Sequence, residues 1–170
     1  VTKSLISHAS VRFIIFEKVL FQEIRHYEEI SFLLSSNGIK AWVNCPRRIY
    51  PFYKKVKSSN ISFRPVNMHV TGGNWGLGCN SIHFIDLVAW LNESSVVEID
   101  NRLVDRGIIE SKRRGFIEFT GSLRVLYSNG AVLTLESGVD SILPAIFNIY
   151  SASSRYVIAE YLHKAWFFSA

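Results

Sequence analysis

Gly72-Gly73-Asn74-Trp75-Gly76-Leu77-Gly78-Cys79-Asn80-Ser81-Ile82-His83-Phe84-Ile85-Asp86-Leu87-Val88-Ala89-Trp90-Leu91 decides how this chain is read. Four glycines in seven residues let the backbone turn through φ > 0 or approach a ligand closely, and they run straight into an apolar segment of helical length. Asn80 is a good N-cap. It predicts a helix starting at Ser81, with His83 in the first turn and Asp86 and Trp90 following on the same face. Two readings of that face follow from the residues alone: a base and a carboxylate presented behind a glycine-rich loop, or a capped helix whose polar residues merely satisfy nearby backbone.

The chain on either side is α/β in pattern. Val11 to Phe16 is β-branched and aromatic with only Arg12 polar, which predicts a strand buried on both faces, as in a parallel sheet. Glu17-Lys18 then falls at its carboxyl end, where open α/β sheets bind ligands. From Gln22 to Ser36, Ile24, Tyr27, Ile30 and Leu34 recur at helical steps, with Asn37-Gly38 as a left-handed C-cap, and Ile39 to Cys45 reads as a second strand. This is one βαβ unit. Pro46 and Pro51 punctuate a crossover whose Arg47, Arg48, Tyr50, Tyr53, Lys54 and Lys55 suit sugar hydroxyls and phosphate, or form a solvated linker helix. Ile61 to Val70 supplies a strand into the glycine loop.

After the loop and helix the pattern is strand-rich, over Val96–Val104, Gly115–Tyr127, Ala131–Ser137, Ala145–Ala152 and Arg155–Tyr161. Asn129-Gly130 predicts a type I′ hairpin. Leu123, Val125 and Tyr127 alternate with Arg124 and Leu126, and Leu133 and Leu135 with Thr134 and Glu136. One face is therefore buried, and the Ser81–Leu91 helix is the element to cover it.

Composition bounds the rest. The 170 residues are 48% hydrophobic and carry a net charge of +5, with basic residues at Arg47, Arg48, Lys54, Lys55, Lys57, Lys112, Arg113 and Arg114. That excess fits an anionic sugar nucleotide or a basic surface. The clusters match no nucleic-acid-binding motif, so no nucleic acid is expected. No run of 18 apolar residues and no signal-peptide pattern occurs, so no membrane association is expected and a cytoplasmic location is the default. Cys45 and Cys79 have no metal-ligand spacing, so no metal is implied.

The glycine-rich stretch resembles the loop and following helix in the C-terminal domain of the glucose-fructose oxidoreductase and inositol dehydrogenase family of NAD(P)-dependent oxidoreductases. Three further segments are similar to that family in the same order: Glu17-Lys18, with Val19 where its motif has proline; Trp42 to Lys57, with Asn44, Arg48 and Pro51 matching its crossover; and the hairpins from Gly115 to Ser137. The resemblance implies an α/β (α+β) fold. Residues 1–45 would be the remnant of a Rossmann-like nucleotide-binding domain, and 46–170 a substrate-binding and dimerisation domain with a mainly antiparallel sheet. It implies Lys18 and His83 as catalytic residues, Asn44, Arg48, Trp75 and Asn80 around a sugar or sugar nucleotide, Glu17 and Lys18 beside NAD or NADP, and a homodimer or higher homo-oligomer. As a first-turn residue His83 would be kept neutral by the helix dipole. Two departures stand out: no G-x-G-x-x-G occurs, so that fingerprint is expected upstream, and Cys79 replaces the family's aspartate four residues before the histidine. A non-catalytic sugar-binding or dimerisation module, or an isomerase or lyase using the cofactor transiently, are the alternatives.

Overall fold

The computed structural model describes residues 1–18, 20–59, 64–111 and 114–170. The expectations that fall on Val19, Ile61 to Phe63, Lys112 and Arg113 lie outside them. The chain separates into two compact units, Val1–Cys45 and Pro46–Ala170.

The first unit begins with α1 (Thr2–His8), in a stretch whose sequence carries little periodicity, followed by β1 (Phe13–Phe16), α2 (Ile24–Ser36) and β2 (Lys40–Val43). β1 and β2 pair in parallel with Phe13 opposite Lys40 and Phe16 opposite Val43, as a βαβ unit requires. Gly38 at φ 64° ends α2. The expected burial on both faces is corrected: Phe16 packs on Phe21, which packs on Tyr27 of α2, whereas Phe13 and Ile15 face outward and are exposed. Among the described residues α2 covers the Phe16 side, so alternate positions of β1 stay in solvent, and all four residues of β2 are exposed.

The second unit opens with a 3₁₀ turn, Pro46–Ile49, and α3 (Pro51–Ser59). Then come β3 (Asn67–Gly72), α4 (Leu77–Asn92), β4 (Val96–Val104), the short pair β5 (Ile109–Glu110) and β6 (Ile117–Glu118), β7 (Gly121–Tyr127), β8 (Val132–Ser137), β9 (Ile146–Tyr150), β10 (Ser154–Ala159), a 3₁₀ turn at Glu160–Leu162, and β11 (Lys164–Ser169). Seven strands form one sheet in the order β11-β10-β9-β3-β8-β7-β4, antiparallel except for β3 beside β8. The α/β (α+β) expectation and the mainly antiparallel sheet are both found.

Phe84, Leu87, Val88 and Leu91 recur at helical steps on α4 and pack against Met68, Val70, Leu133 and Leu135 of the sheet. This is the core. The opposite face is open and polar at its centre, where Arg124, Thr134, His69, Asn148, Val157 and Trp166 form one cross-strand row. Asn92 sits at the end of α4 almost fully buried, its carboxamide oxygen accepting from Val66 N at 2.9 Å and its amide donating to Val66 O at 2.8 Å.

Two local expectations are corrected. The hairpin is a three-residue turn: Gly130 N donates to Tyr127 O at 2.9 Å, and Gly130, at φ 83°, is the left-handed residue while Asn129 is not. That is a type I turn closed by a glycine bulge, which satisfies the strand twist with one left-handed residue where a type I′ turn needs two. The expected strand Gly115–Tyr127 is broken after Glu118, and Arg155–Tyr161 gives way to a 3₁₀ turn at Glu160. In both cases a glutamate at the break makes a tertiary contact, Glu118 as the last residue of β6 and Glu160 as the first of the 3₁₀ turn.

Candidate functional site

The glycine-rich loop is shaped by one of those glutamates. Glu118 is 3% exposed, and its carboxylate accepts from Gly78 N at 2.7 Å and Cys79 N at 3.1 Å. A Cβ on Gly78 would stand 2.9 Å from Glu118 Oε2, so only glycine admits the carboxylate this closely. The carboxylate therefore satisfies the first amides of α4 and meets the positive end of its dipole.

This cap moves the helix start. α4 begins at Leu77 behind Gly76, four residues before the expected Ser81, because an acceptor from β6 substitutes for a local cap. Asn80 is thus inside the first turns, its amide donating to Trp75 O at 2.8 Å. His83 becomes the seventh residue of the helix, and the dipole argument for its neutrality no longer applies, since that field fades beyond the first turn.

Cys79, His83, Asp86 and Trp90 still follow one another along one side of α4. Asp86 is held by Arg48 through two hydrogen bonds, one of them from Nε at 2.6 Å to Oδ2, so Arg48 is brought to the helix face as expected but with its fork turned to a carboxylate. Trp75 donates its indole N–H to Glu136 O at 2.8 Å and lies edge-on to Phe84, with ring centroids 5.5 Å apart. It packs on the rim of the core and its indole N–H is already engaged.

Sequence reasoning missed the anchor beneath it. Arg47 forks onto Glu160, with Nε–Oε1 at 2.9 Å and Nη2–Oε2 at 2.7 Å, while its guanidinium lies 4.5 Å from the Phe84 ring centroid. Tyr53 donates to the same carboxylate. Burial works against the Arg47 charge, but the bonds to Glu160 outweigh it and its pKa is raised. Fixing Arg47 fixes the turn that presents Arg48, across 113 residues of sequence that no local pattern spans.

The remaining expected residues gather in the first unit, at the carboxyl ends of its two strands. Asn44 donates its amide to Glu17 Oε1 at 2.5 Å and its backbone N–H to Phe16 O at 2.8 Å, with Lys18 next in the chain. Glu17, Lys18 and Asn44 thus share the end of a parallel pair where ligands bind in α/β sheets.

The glycine loop does not fit a dinucleotide pyrophosphate. Its helix amides are taken by Glu118, and a Cβ on Gly73 would collide with the Ser141 carbonyl, so the loop is filled by the chain's own atoms. Among the described residues no group of three or more His, Cys, Asp or Glu is placed to hold a metal ion.

Comparison with solved structures gives the fold a counterpart. The dehydrogenase MviM from Clostridium difficile matches at 18% identity and a TM-score of 0.61 over 99% of this chain and 58% of that chain. UDP-N-acetylglucosamine 3-dehydrogenase GnnA from Acidithiobacillus ferrooxidans matches at 10% identity and 0.72 over 99% and 56%. The fold is that of these oxidoreductases. The resemblance drawn from the glycine-rich stretch is therefore borne out at the level of fold, since the structural neighbours are oxidoreductases of the glucose-fructose oxidoreductase and inositol dehydrogenase type. A super-repressor mutant of Gal80p from Saccharomyces cerevisiae shares the fold too, at 14% identity and 0.57 over 86% of this chain and 47% of that one. This chain spans 47 to 58% of the length of these three structures. No protein-family model and no curated protein matches the sequence. No helix among the described residues is long and apolar enough to cross a membrane.

Proposed function

We propose that this chain is the sugar-side portion of an NAD(P)-dependent oxidoreductase acting on a CH–OH group of a sugar or sugar nucleotide. The observation that carries the reading is the α4 face, with His83 in line with the Arg48–Asp86 pair, in a fold shared with a dehydrogenase named for a UDP-linked sugar. Fold alone would not carry it.

In this reading His83 is the group that takes the proton of the substrate hydroxyl, and Lys18 is the cation that orients and polarises the substrate. Asn44 and Asn80 supply amide groups to neighbouring hydroxyls, Arg48 sets the charge of the α4 face through its pair with Asp86, and Trp75 gives an apolar wall. NAD or NADP is the hydride acceptor the reading requires, with Glu17 and Lys18 on its near side; its pyrophosphate is assigned to residues beyond 1–170. A homodimer through the open sheet face is part of the proposal, supported by Val157, Trp166 and Phe168 at one end of that face.

A second reading is favoured by Cys79. A thiol cannot act as the hydrogen-bonding carboxylate that the resemblance places there, which suits a sugar-binding or dimerisation module without turnover. The deciding experiment uses the polypeptide translated from the whole reading frame containing residues 1–170, assayed with NAD or NADP and UDP-linked sugars. His83→Ala is expected to lower turnover roughly 10²- to 10⁴-fold with melting unchanged. Lys18→Met is expected to act in the same direction. No turnover in the unaltered protein decides for the module, and unchanged turnover in His83→Ala refutes His83 as the base.

A further inference from the structure

We propose that the polar hollow on the open face of the seven-stranded sheet is a binding site for a phosphorylated monosaccharide. Met68 and Val70 turn under α4, so His69 between them belongs to the opposite face, and the site is separate from the α4 side and independent of the oxidoreductase reading. The hollow measures about 410 Å³ and is lined by His69, Thr134, Glu136, Asn148, Tyr150 and Arg155, from the four adjacent strands β8, β3, β9 and β10. Small-molecule sites run from ~300 to 1,000 Å³.

The middle of the hollow asks for hydroxyls. His69 Nε2 is closed to solvent and lies 3.1 Å from Glu136 Oε2 without hydrogen-bond geometry. Buried polar atoms are satisfied as a rule, and a ligand hydroxyl, which both donates and accepts, can bond the imidazole in either tautomer while donating to the carboxylate. Thr134 and Asn148, directly opposite His69 on the two neighbouring strands, add a hydroxyl and an amide for adjacent positions of a sugar. The β10 end asks for an anion. The Arg155 guanidinium lies 5.6 Å from the Tyr150 ring centroid and, among the described residues, pairs with no carboxylate. Arg155 also lines an adjoining hollow of about 530 Å³, where the β9–β10 turn, closed by Ser151 N donating to Ser154 O at 2.9 Å, brings up Ser151 and Ser153. A guanidinium fork with hydroxyls beside it suits the several oxygens of a phosphate. Glu136 and Arg155 belong to strands three spacings apart, about 14 Å, so a phosphate is drawn to one end and the sugar hydroxyls to the other, in one orientation.

Calorimetric titration of the polypeptide translated from the whole reading frame, without NAD or NADP, tests this with glucose 6-phosphate, galactose 1-phosphate and glucosamine 6-phosphate as probes. At least one is expected to bind with a Kd below ~1 mM, and at least ~10-fold tighter than inorganic phosphate or its own unphosphorylated sugar. Arg155→Ala, at an exposed residue whose loss leaves the core intact, should weaken that binding at least ~10-fold, and His69→Ala should act in the same direction. His83→Ala, on the α4 side, and Trp166→Glu, which removes a partner from the sheet face, should leave it unchanged. Four results overturn the proposal: no binding of any of the three probes, inorganic phosphate bound as tightly as the sugar phosphates, binding that Arg155→Ala leaves intact, or binding lost in Trp166→Glu. None of them changes what His83→Ala reports about turnover.

Discussion

Removing the Glu118 carboxylate should loosen the start of α4, and the size of the effect follows from what it holds. In Glu118→Ala the amides of Gly78 and Cys79 lose their acceptor, and Phe119 N loses a weaker bond at 3.4 Å. Hydrogen bonds to a charged acceptor contribute about 1.5–3 kcal/mol each, and loss of an N-cap about 0.5–2 kcal/mol. Gly78 and Cys79 are themselves exposed, so water can reach their amides once the side chain is gone. The expected loss is therefore about 2–3 kcal/mol, a fall in Tm of roughly 4–12 °C. Gly78 supplies the sharper test. Alanine is the better helix former by about 1 kcal/mol, yet its Cβ would stand 2.9 Å from Glu118 Oε2 and 3.0 Å from the Phe119 ring. Gly78→Ala is expected to destabilise the native protein by about 1 kcal/mol and to be neutral or stabilising in the Glu118→Ala background, a coupling of about 1 kcal/mol or more in a denaturant double-mutant cycle. Additive effects, or a Tm unmoved by Glu118→Ala, would refute the capping argument.

Asn92→Ala should cost about 3 kcal/mol by urea unfolding, because it strands both polar groups of Val66 in the core and releases the Asn129 amide, which donates to Asn92 Oδ1 at 3.0 Å. Tyr53 and Tyr127 should stay protonated while exposed tyrosines titrate: burial first, then the charges of Glu160 and Asp86 respectively, raise both phenols above the usual value. Since the folded pKa is the higher, their contribution is complete below pH ~10 and is lost as pH rises from there through the folded values. Ultraviolet difference titration checks it, and Tyr53→Phe should flatten the alkaline fall in stability. Sedimentation at tens of micromolar, an estimate suited to a standard-size interface, should show a dimer that Trp166→Glu weakens; a monomer at that concentration counts against the sheet-face assignment.

Elements whose cause is local were legible in the sequence, and those set by distant residues were not. The βαβ unit, the apolar side of α4 and the alternation of β7 and β8 follow from period and punctuation within a dozen residues. The start of α4 was misplaced because its cap comes from Glu118, 40 residues downstream of Gly78. Arg47 read as one more donor in a basic crossover, and only the fold reveals that Glu160, Tyr53 and Phe84 enclose it. β11 escaped notice because Lys164 to Ser169 has no alternation: as an edge strand it leaves all six residues exposed.

The parallel pairing of β3 with β8 sets a clock on synthesis. Met68 faces Leu133, so the strand that leads into α4 waits 65 residues (68 to 133) for that neighbour and longer for β9. At roughly 5–20 residues per second, β3 waits about 3–13 s for that neighbour, and the apolar side of α4, synthesised just after it, waits about 2–10 s. Contacts this distant in sequence also slow the search itself. The nascent chain is thus a natural client for chaperones through Phe84, Leu87, Val88 and Leu91, and ribosome-stalled chains ending before Tyr150 should be degraded or aggregate where longer ones survive.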